Sequence, residues 1–257
     1  MGKIIAITNQ KGGVGKTTTA VNLSASLAEA GQKILLIDFD PQGNASSGLL
    51  AEDSPEEKNT VYDLICGNCT TEACIIKNVV EHLDLIPADM NLAGAEAEFQ
   101  DLDEMEQMLR NAIAGLKESY DYILIDCPPS LSVLTLNALT ASDSVIIPIQ
   151  CEYYALEGLS QVLKTIYLVK RKLNPQLAVE GVLFTMYDQR TNLSEQVVES
   201  VKDNLDEPIY DTIIPRNVKL AEAPSHGEPI TVYDSASRGA ESYRLLAAEM
   251  MSKEGKH

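Results

Sequence analysis

The chain has no tryptophan and only 3 phenylalanines among its 257 residues, and it holds 20 Lys plus Arg against 38 Asp plus Glu. No run approaches the roughly 18 consecutive apolar residues of a membrane span. A helix lying on lipid calls for Lys/Arg flanks and a face of Trp, Phe or Leu. The final segment, residues 243–253, offers one lysine and no bulky aromatic beyond Tyr243, so it reads as a terminal helix packed on the rest of the chain. Met1-Gly2-Lys3 enters an apolar strand too quickly for a signal peptide, which makes a cytoplasmic protein the expectation. Five cysteines, an odd count, fit a reducing compartment in which they remain thiols.

The scarcity of basic residues, a net charge of −18, argues at first against a nucleic-acid partner. The charge is unevenly spread, however. Residues 51–110 hold 15 acidic against 3 basic residues, a net of −12, while residues 181–257 hold 13 against 8 and leave room for a local basic patch.

What is present is a phosphate-binding loop. Lys3-Ile4-Ile5-Ala6-Ile7-Thr8 is an apolar strand, residues 9–18 read Asn-Gln-Lys-Gly-Gly-Val-Gly-Lys-Thr-Thr, and a helical pattern begins near Thr19. A strand, a glycine-rich turn and a helix start wrap backbone N–H groups around a polyphosphate, and the helix dipole adds to the attraction. Gly12, Gly13, Val14 and Gly15 form the turn, Lys16 reaches the terminal phosphates, Thr17 puts its hydroxyl on Mg²⁺, and Thr18 continues the cradle. The loop departs from the usual spelling at Gln10, where a glycine is normal, and it carries a second lysine, Lys11. Two cations exceed the need of one triphosphate, which points Lys11 at a nucleotide held by a second subunit.

Apolar strands recur at 33–37, 83–86, 122–125, 144–149 and 179–184, with helical patterns between most of them. The 19–30 helix ends at Gly31. Strands apolar on both faces predict an α/β fold of the P-loop NTPase type, a mostly parallel twisted sheet covered by helices on both faces, with ligands at the carboxyl ends of the strands. No linker or repeat divides residues 1–257, so one domain is expected. The segment near 95–110 has Leu102, Met105, Met108 and Leu109 at helical spacing and reads as a solvated acidic helix.

The 122–125 strand ends in Asp126, followed by Cys127-Pro128-Pro129-Ser130, where a carboxylate can order Mg²⁺. The 33–37 strand is followed by Asp38-Phe39-Asp40-Pro41-Gln42-Gly43-Asn44 and opens onto the same edge. Of Asp38 and Asp40, one can order Mg²⁺ or support the phosphate loop and the other can orient a water for in-line attack; Asp40 is the expected water-positioning residue. An Asx-turn at Asp40-Pro41 is the plain structural alternative.

Residues 11–18, 38–44, 126–130 and Ile214-Pro215-Arg216-Asn217-Val218 together resemble the ParA/Soj chromosome-partitioning ATPases, of the deviant Walker-A class that includes MinD. The likeness covers nearly the whole chain and extends to residues 150–158 and 222–227. It implies a homodimer with two ATP molecules sandwiched between subunits and Lys11 reaching the partner's phosphates. It further implies that Asp40 is the hydrolytic aspartate, Asp126 the Walker-B acid, and that Pro215 and Asn217 lie against adenine. The resemblance also implies non-specific DNA binding by the ATP dimer through Arg190 and Lys219, to which Arg216 is added as a further candidate, together with association with the nucleoid and a ParB-type centromere-binding partner that stimulates hydrolysis. A MinD-like, membrane-recruited ATPase is the alternative reading.

Cys66-Gly67-Asn68-Cys69, with Cys74 close behind, has the spacing of a metal or redox pair, but no second CxxC and no histidine pair completes it. Cys127 resembles a cysteine of the iron–sulfur members of the superfamily only by its place beside Asp126. His82, His226 and His257 are scattered and read as structural or terminal.

Overall fold

The computed structural model describes residues 2–50, 59–98 and 104–254. Seven strands form one sheet: β1 (Lys3–Ile7), β2 (Ile34–Asp38), β3 (Ile76–Val80), β4 (Leu83–Ile86), β5 (Tyr122–Asp126), β6 (Ser144–Gln150) and β7 (Ala178–Thr185), in the spatial order β3-β4-β2-β5-β1-β6-β7. All neighbours run parallel except β3 and β4. Five longer helices cover it: α1 (Lys16–Glu29), α2 (Val133–Ala141), α3 (Ala155–Lys172), α4 (Asn192–Asn204) and α5 (Arg238–Glu254).

The strand pleat separates two cores, because successive side chains point to opposite faces. On one face Ile4, Ala6, Leu35, Ile37, Ile123 and Ile125 pack with Leu134, Leu159 and Val201 from α2, α3 and α4. On the other, Ile5, Ile7, Ile34, Leu36, Tyr122 and Leu124 pack with Leu23 and Leu27 of α1 and with Tyr243, Leu246 and Met250 of α5. The terminal helix is therefore seated on α1, and Thr19 Oγ1 and Tyr243 Oη are hydrogen-bonded in the seam at 3.2 Å. Among the described residues, no helix is long and apolar enough to cross a membrane.

Three sequence expectations need correction. The first helix starts at Lys16, three residues earlier than its apolar spacing suggests, because Gly15 adopts φ 83° and lets the chain turn directly into the helix. A further strand, β3, forms an antiparallel edge; its Lys77-Asn78 centre is polar and Asn78 has φ 54°, so it lacks an apolar strand pattern. The acidic segment is not one solvated helix. Helical residues Leu92–Glu98 are followed, beyond residues 99–103 and with them Leu102, which lie outside the described residues, by Glu104 at φ 60° and a separate helical stretch, Met108–Ile113. Leu109 and Ile113 are fully buried in the core, with Met105 and Met108 packed against it.

Candidate nucleotide site

The sheet brings the loop and the acids to one edge. Ile7 pairs with Asp126 and Asp38 pairs with Asp126 in register, so the carboxyl ends of β1, β2 and β5 lie side by side. Residues 8–15 leave β1 as the loop, with Gly13 at φ 73° and Gly15 at φ 83°, conformations that favour glycine. Because α1 begins at Lys16, Lys16, Thr17 and Thr18 occupy its first turn, where backbone N–H groups have no partner within the helix.

Long-range hydrogen bonds hold the loop open. Asn9 Nδ2 donates to Pro148 O at 2.8 Å and Thr185 Oγ1 donates to Val14 O at 2.8 Å. Gln10, the residue in place of the usual glycine, donates from Nε2 to Thr165 Oγ1 on α3 at 3.0 Å. Sequence reasoning missed these supports because Thr165 and Thr185 are distant in the chain.

Lys16 is buried, and its Nζ donates to Lys11 O at 3.2 Å across the loop. Burial lowers its pKa, with the carboxylates of Asp126 and Asp40 opposing that shift. Asp126 is completely buried, and among the described residues no donor, Thr17 included, meets either carboxylate oxygen in hydrogen-bond geometry. Burial and then the Asp38 charge push its pKa well above the usual carboxylate range, while the Thr17 side chain pulls it back. An orphaned buried carboxylate opposite a threonine hydroxyl fits a divalent cation, which would supply the missing compensation.

The two loop acids differ in their surroundings. Asp38 accepts from Ser46 N at 2.8 Å, from Ser46 Oγ at 2.7 Å and from Asp40 N at 3.2 Å, so both its oxygens are engaged in holding the 40–47 loop. Asp40 accepts from Gln42 N through Oδ1 at 3.0 Å, as in the Asx-turn alternative, and its Oδ2 accepts no hydrogen bond among the described residues. Asp40 lines the phosphate-side hollow together with Gly12, Gly13, Lys16 and Thr17. Asp38 therefore braces its own 40–47 loop, and none of these bonds reaches the phosphate-binding loop of residues 9–18.

A second, apolar hollow adjoins the first and shares Gly15, Thr18 and Met186 with it. It is lined by Ile214, Pro215, Arg216, Asn217, Val218 and Tyr243. Asn217 Oδ1 also caps the 218–222 helix by accepting from Lys219 N at 2.8 Å.

Lys11 lies outside this cleft. Its ammonium forms an ion pair with Glu152, and both side chains are nearly half exposed. Arg190 and Arg216 are brought onto adjoining loops by the Tyr187–Pro215 bridge, around Asp188. Arg190 donates from Nε and Nη2 to Asp188 at 2.9 and 2.7 Å, and Arg190 and then Arg216 hold that carboxyl well below the usual range. Lys219 Nζ lies 2.8 Å from Glu222 and 5.6 Å from the Tyr233 ring centroid. Two of the three sequence-chosen cations are thus exposed but carry acidic partners, a feature their residue type did not disclose.

A family model described as an AAA domain matches residues 2–179. The sporulation initiation inhibitor protein Soj of Bacillus subtilis is 59% identical over 250 residues, covering 97% of this chain and 98% of Soj. The chromosome-partitioning ATPase Soj of Treponema pallidum is 51% identical over 256 residues, covering 99% of each. Among solved structures, cobyrinic acid a,c-diamide synthase from Mycobacterium smegmatis with bound ADP and magnesium superposes with a TM-score of 0.86 at 38% identity, covering 99% of this chain and 96% of that one.

Proposed function

Because the chain belongs to the ParA/Soj family of partitioning ATPases, we propose that residues 1–257 work as one magnesium- and ATP-dependent switch. Its ATP form is a homodimer that binds DNA without sequence preference, acts with a ParB-type partner in chromosome or plasmid partitioning, and is found in the cytoplasm on the nucleoid. The observation that carries the reading is the division of labour between two lysines. Lys16 is folded over the loop inside the phosphate hollow, whereas Lys11 projects from the loop's start toward Glu152, where a second subunit could meet it.

In this reading, the amides of residues 12–18 and the Lys16 ammonium stabilise charge on the terminal phosphates, and Lys11 completes the site in trans. Asp40 orients the attacking water through its open oxygen. Thr17 and Asp126, with Asp40 at hand, would hold magnesium, which would supply neutralisation of phosphate charge. The apolar hollow at Pro215 and Asn217 takes adenine. Arg190, Arg216 and Lys219 contact DNA phosphates, and dimerisation doubles a small set of such contacts.

Light scattering in ATP and in ADP tests the switch. The unmodified protein, held from turnover with a non-hydrolysable ATP analogue, should double its mass, and Lys11→Ala should bind the analogue yet remain a monomer. A Lys11→Ala protein that dimerises like the unmodified chain would remove Lys11 from the trans role.

A further inference from the structure

Outside the nucleotide cleft, residues 66–74 gather three of the chain's five thiols. Sequence spacing groups Cys66 with Cys69, but the structure pairs the sulfurs differently. Cys66 follows the short helix Val61–Ile65 and its thiol faces Tyr62. Cys69 sits in the turn after Gly67 and its Sγ lies 2.7 Å from Cys74 Sγ, at the end of the short helix Thr71–Cys74. A disulfide bond is about 2.03–2.05 Å long, so the two sulfurs need to close by less than about 1 Å.

The turn that carries Cys69 is built on a glycine. Gly67 has φ 74°, a conformation that favours glycine, and beyond its chain neighbours nothing lies within 4 Å of where a Cβ would stand. The flanks are anchored: Asn68 N donates to Asp63 O at 2.9 Å and Thr71 Oγ1 donates to Ala112 O at 3.2 Å, which keeps Cys69 and Cys74 facing each other. Access is graded, since Cys69 is half-buried while Cys74 is buried and donates to Thr60 O at 3.5 Å.

We propose that Cys69 and Cys74 are a reversible redox-modification site, closed to an intramolecular disulfide by a small disulfide oxidant such as oxidised glutathione. The Cys69 thiolate attacks one sulfur of the oxidant, forming a mixed disulfide and releasing one glutathione thiolate. Cys74 then attacks the Cys69 sulfur, gives its proton to the departing sulfur and releases the second glutathione. Two protein thiols are oxidised and one glutathione disulfide is reduced to two thiols, so atoms and electrons balance. Cys66, turned toward Tyr62, takes no part, and Cys127 and Cys151 are buried elsewhere in the core.

The test exposes the full-length folded protein to oxidised glutathione, quenches with acid, unfolds, alkylates, and reads the intact mass with and without prior reduction. The expected result is loss of two alkylatable thiols, leaving three of five, restored by dithiothreitol. Cys66→Ser should still lose two, and Cys69→Ser and Cys74→Ser should lose none to an internal bond. In Cys66→Ser the peptide of residues 59–77 contains Cys69 and Cys74 as its two thiols, so its loss of two hydrogens assigns the bond even if replacing the buried Cys74 prevents folding. Five alkylatable thiols after exposure, a glutathione adduct that persists on Cys69, or a bond that survives Cys74→Ser and vanishes in Cys66→Ser would each overturn the proposal.

Discussion

Asp40→Ala protein should bind ATP with little loss of affinity, hydrolyse it about a hundredfold or more slowly, and accumulate as the dimer. The expectation follows from the different engagement of two neighbouring acids. Asp38 spends both oxygens on Ser46 and on the Asp40 amide, so its loss would strand buried donors and loosen the 40–47 loop. Asp40 lines the phosphate-side hollow with one oxygen that accepts no hydrogen bond among the described residues, and its other oxygen makes only a local turn to Gln42. Removing it therefore deletes an acceptor while leaving in place the loop amides and Lys16, to which the proposed function gives the phosphates. Steady-state phosphate release beside equilibrium ATP binding separates the two effects. An unchanged hydrolysis rate would return Asp40 to the structural role of an Asx-turn.

Asp126→Asn should make the nucleotide-free protein more stable at neutral pH while weakening its magnesium-dependent nucleotide binding by about tenfold to a hundredfold. Asp126 is fully buried, stands beside Asp38 and has no donor in hydrogen-bond geometry among the described residues, so despite the opposing pull of Thr17 its charged form is disfavoured in the folded state and its pKa lies well above the unfolded value of 3.8. Between those two values the unfolded chain has released a proton that the folded chain still holds. Stability of the nucleotide-free protein therefore falls as pH rises through that window. Asparagine removes the charge, and a gain on the order of 1–2 kcal/mol, about 2–6 °C in Tm, is expected near pH 7. Thermal unfolding of both proteins from pH 4 to pH 8 checks the slope; a smaller pH dependence in the unmodified chain than in Asp126→Asn would contradict the assignment of an uncompensated carboxylate.

The parts of this molecule that announce themselves in sequence are those built from adjacent residues. The loop of residues 9–18 lies between a β-branched strand and a helix, Asp38 and Asp126 end apolar strands and Asp40 follows two residues on, so their convergence on one edge follows from parallel topology. What could not be read depends on partners far away in the chain. Gln10 looks like a defect in the loop until Thr165 on α3 is seen to receive its amide. Ser46, Thr185 and Met186 belong to the site through the same long-range packing. Periodicity also misled where the backbone breaks it: Glu104 at positive φ interrupts an otherwise helical pattern, and Asn78 lies in a strand too polar to be recognised. The Cys66-x-x-Cys69 spacing suggested one thiol pair, and the turn at Gly67 instead sets Cys69 against Cys74.

Binding of Asp40→Ala protein to non-specific duplex DNA, in ATP and in ADP over a salt titration, tests the switch most directly. The account predicts binding in ATP alone, weakening steeply with salt as released counterions require, and loss of that binding when Arg190, Arg216 and Lys219 are replaced together. Equal binding in both nucleotides, or no binding in ATP while the dimer still forms, would contradict it.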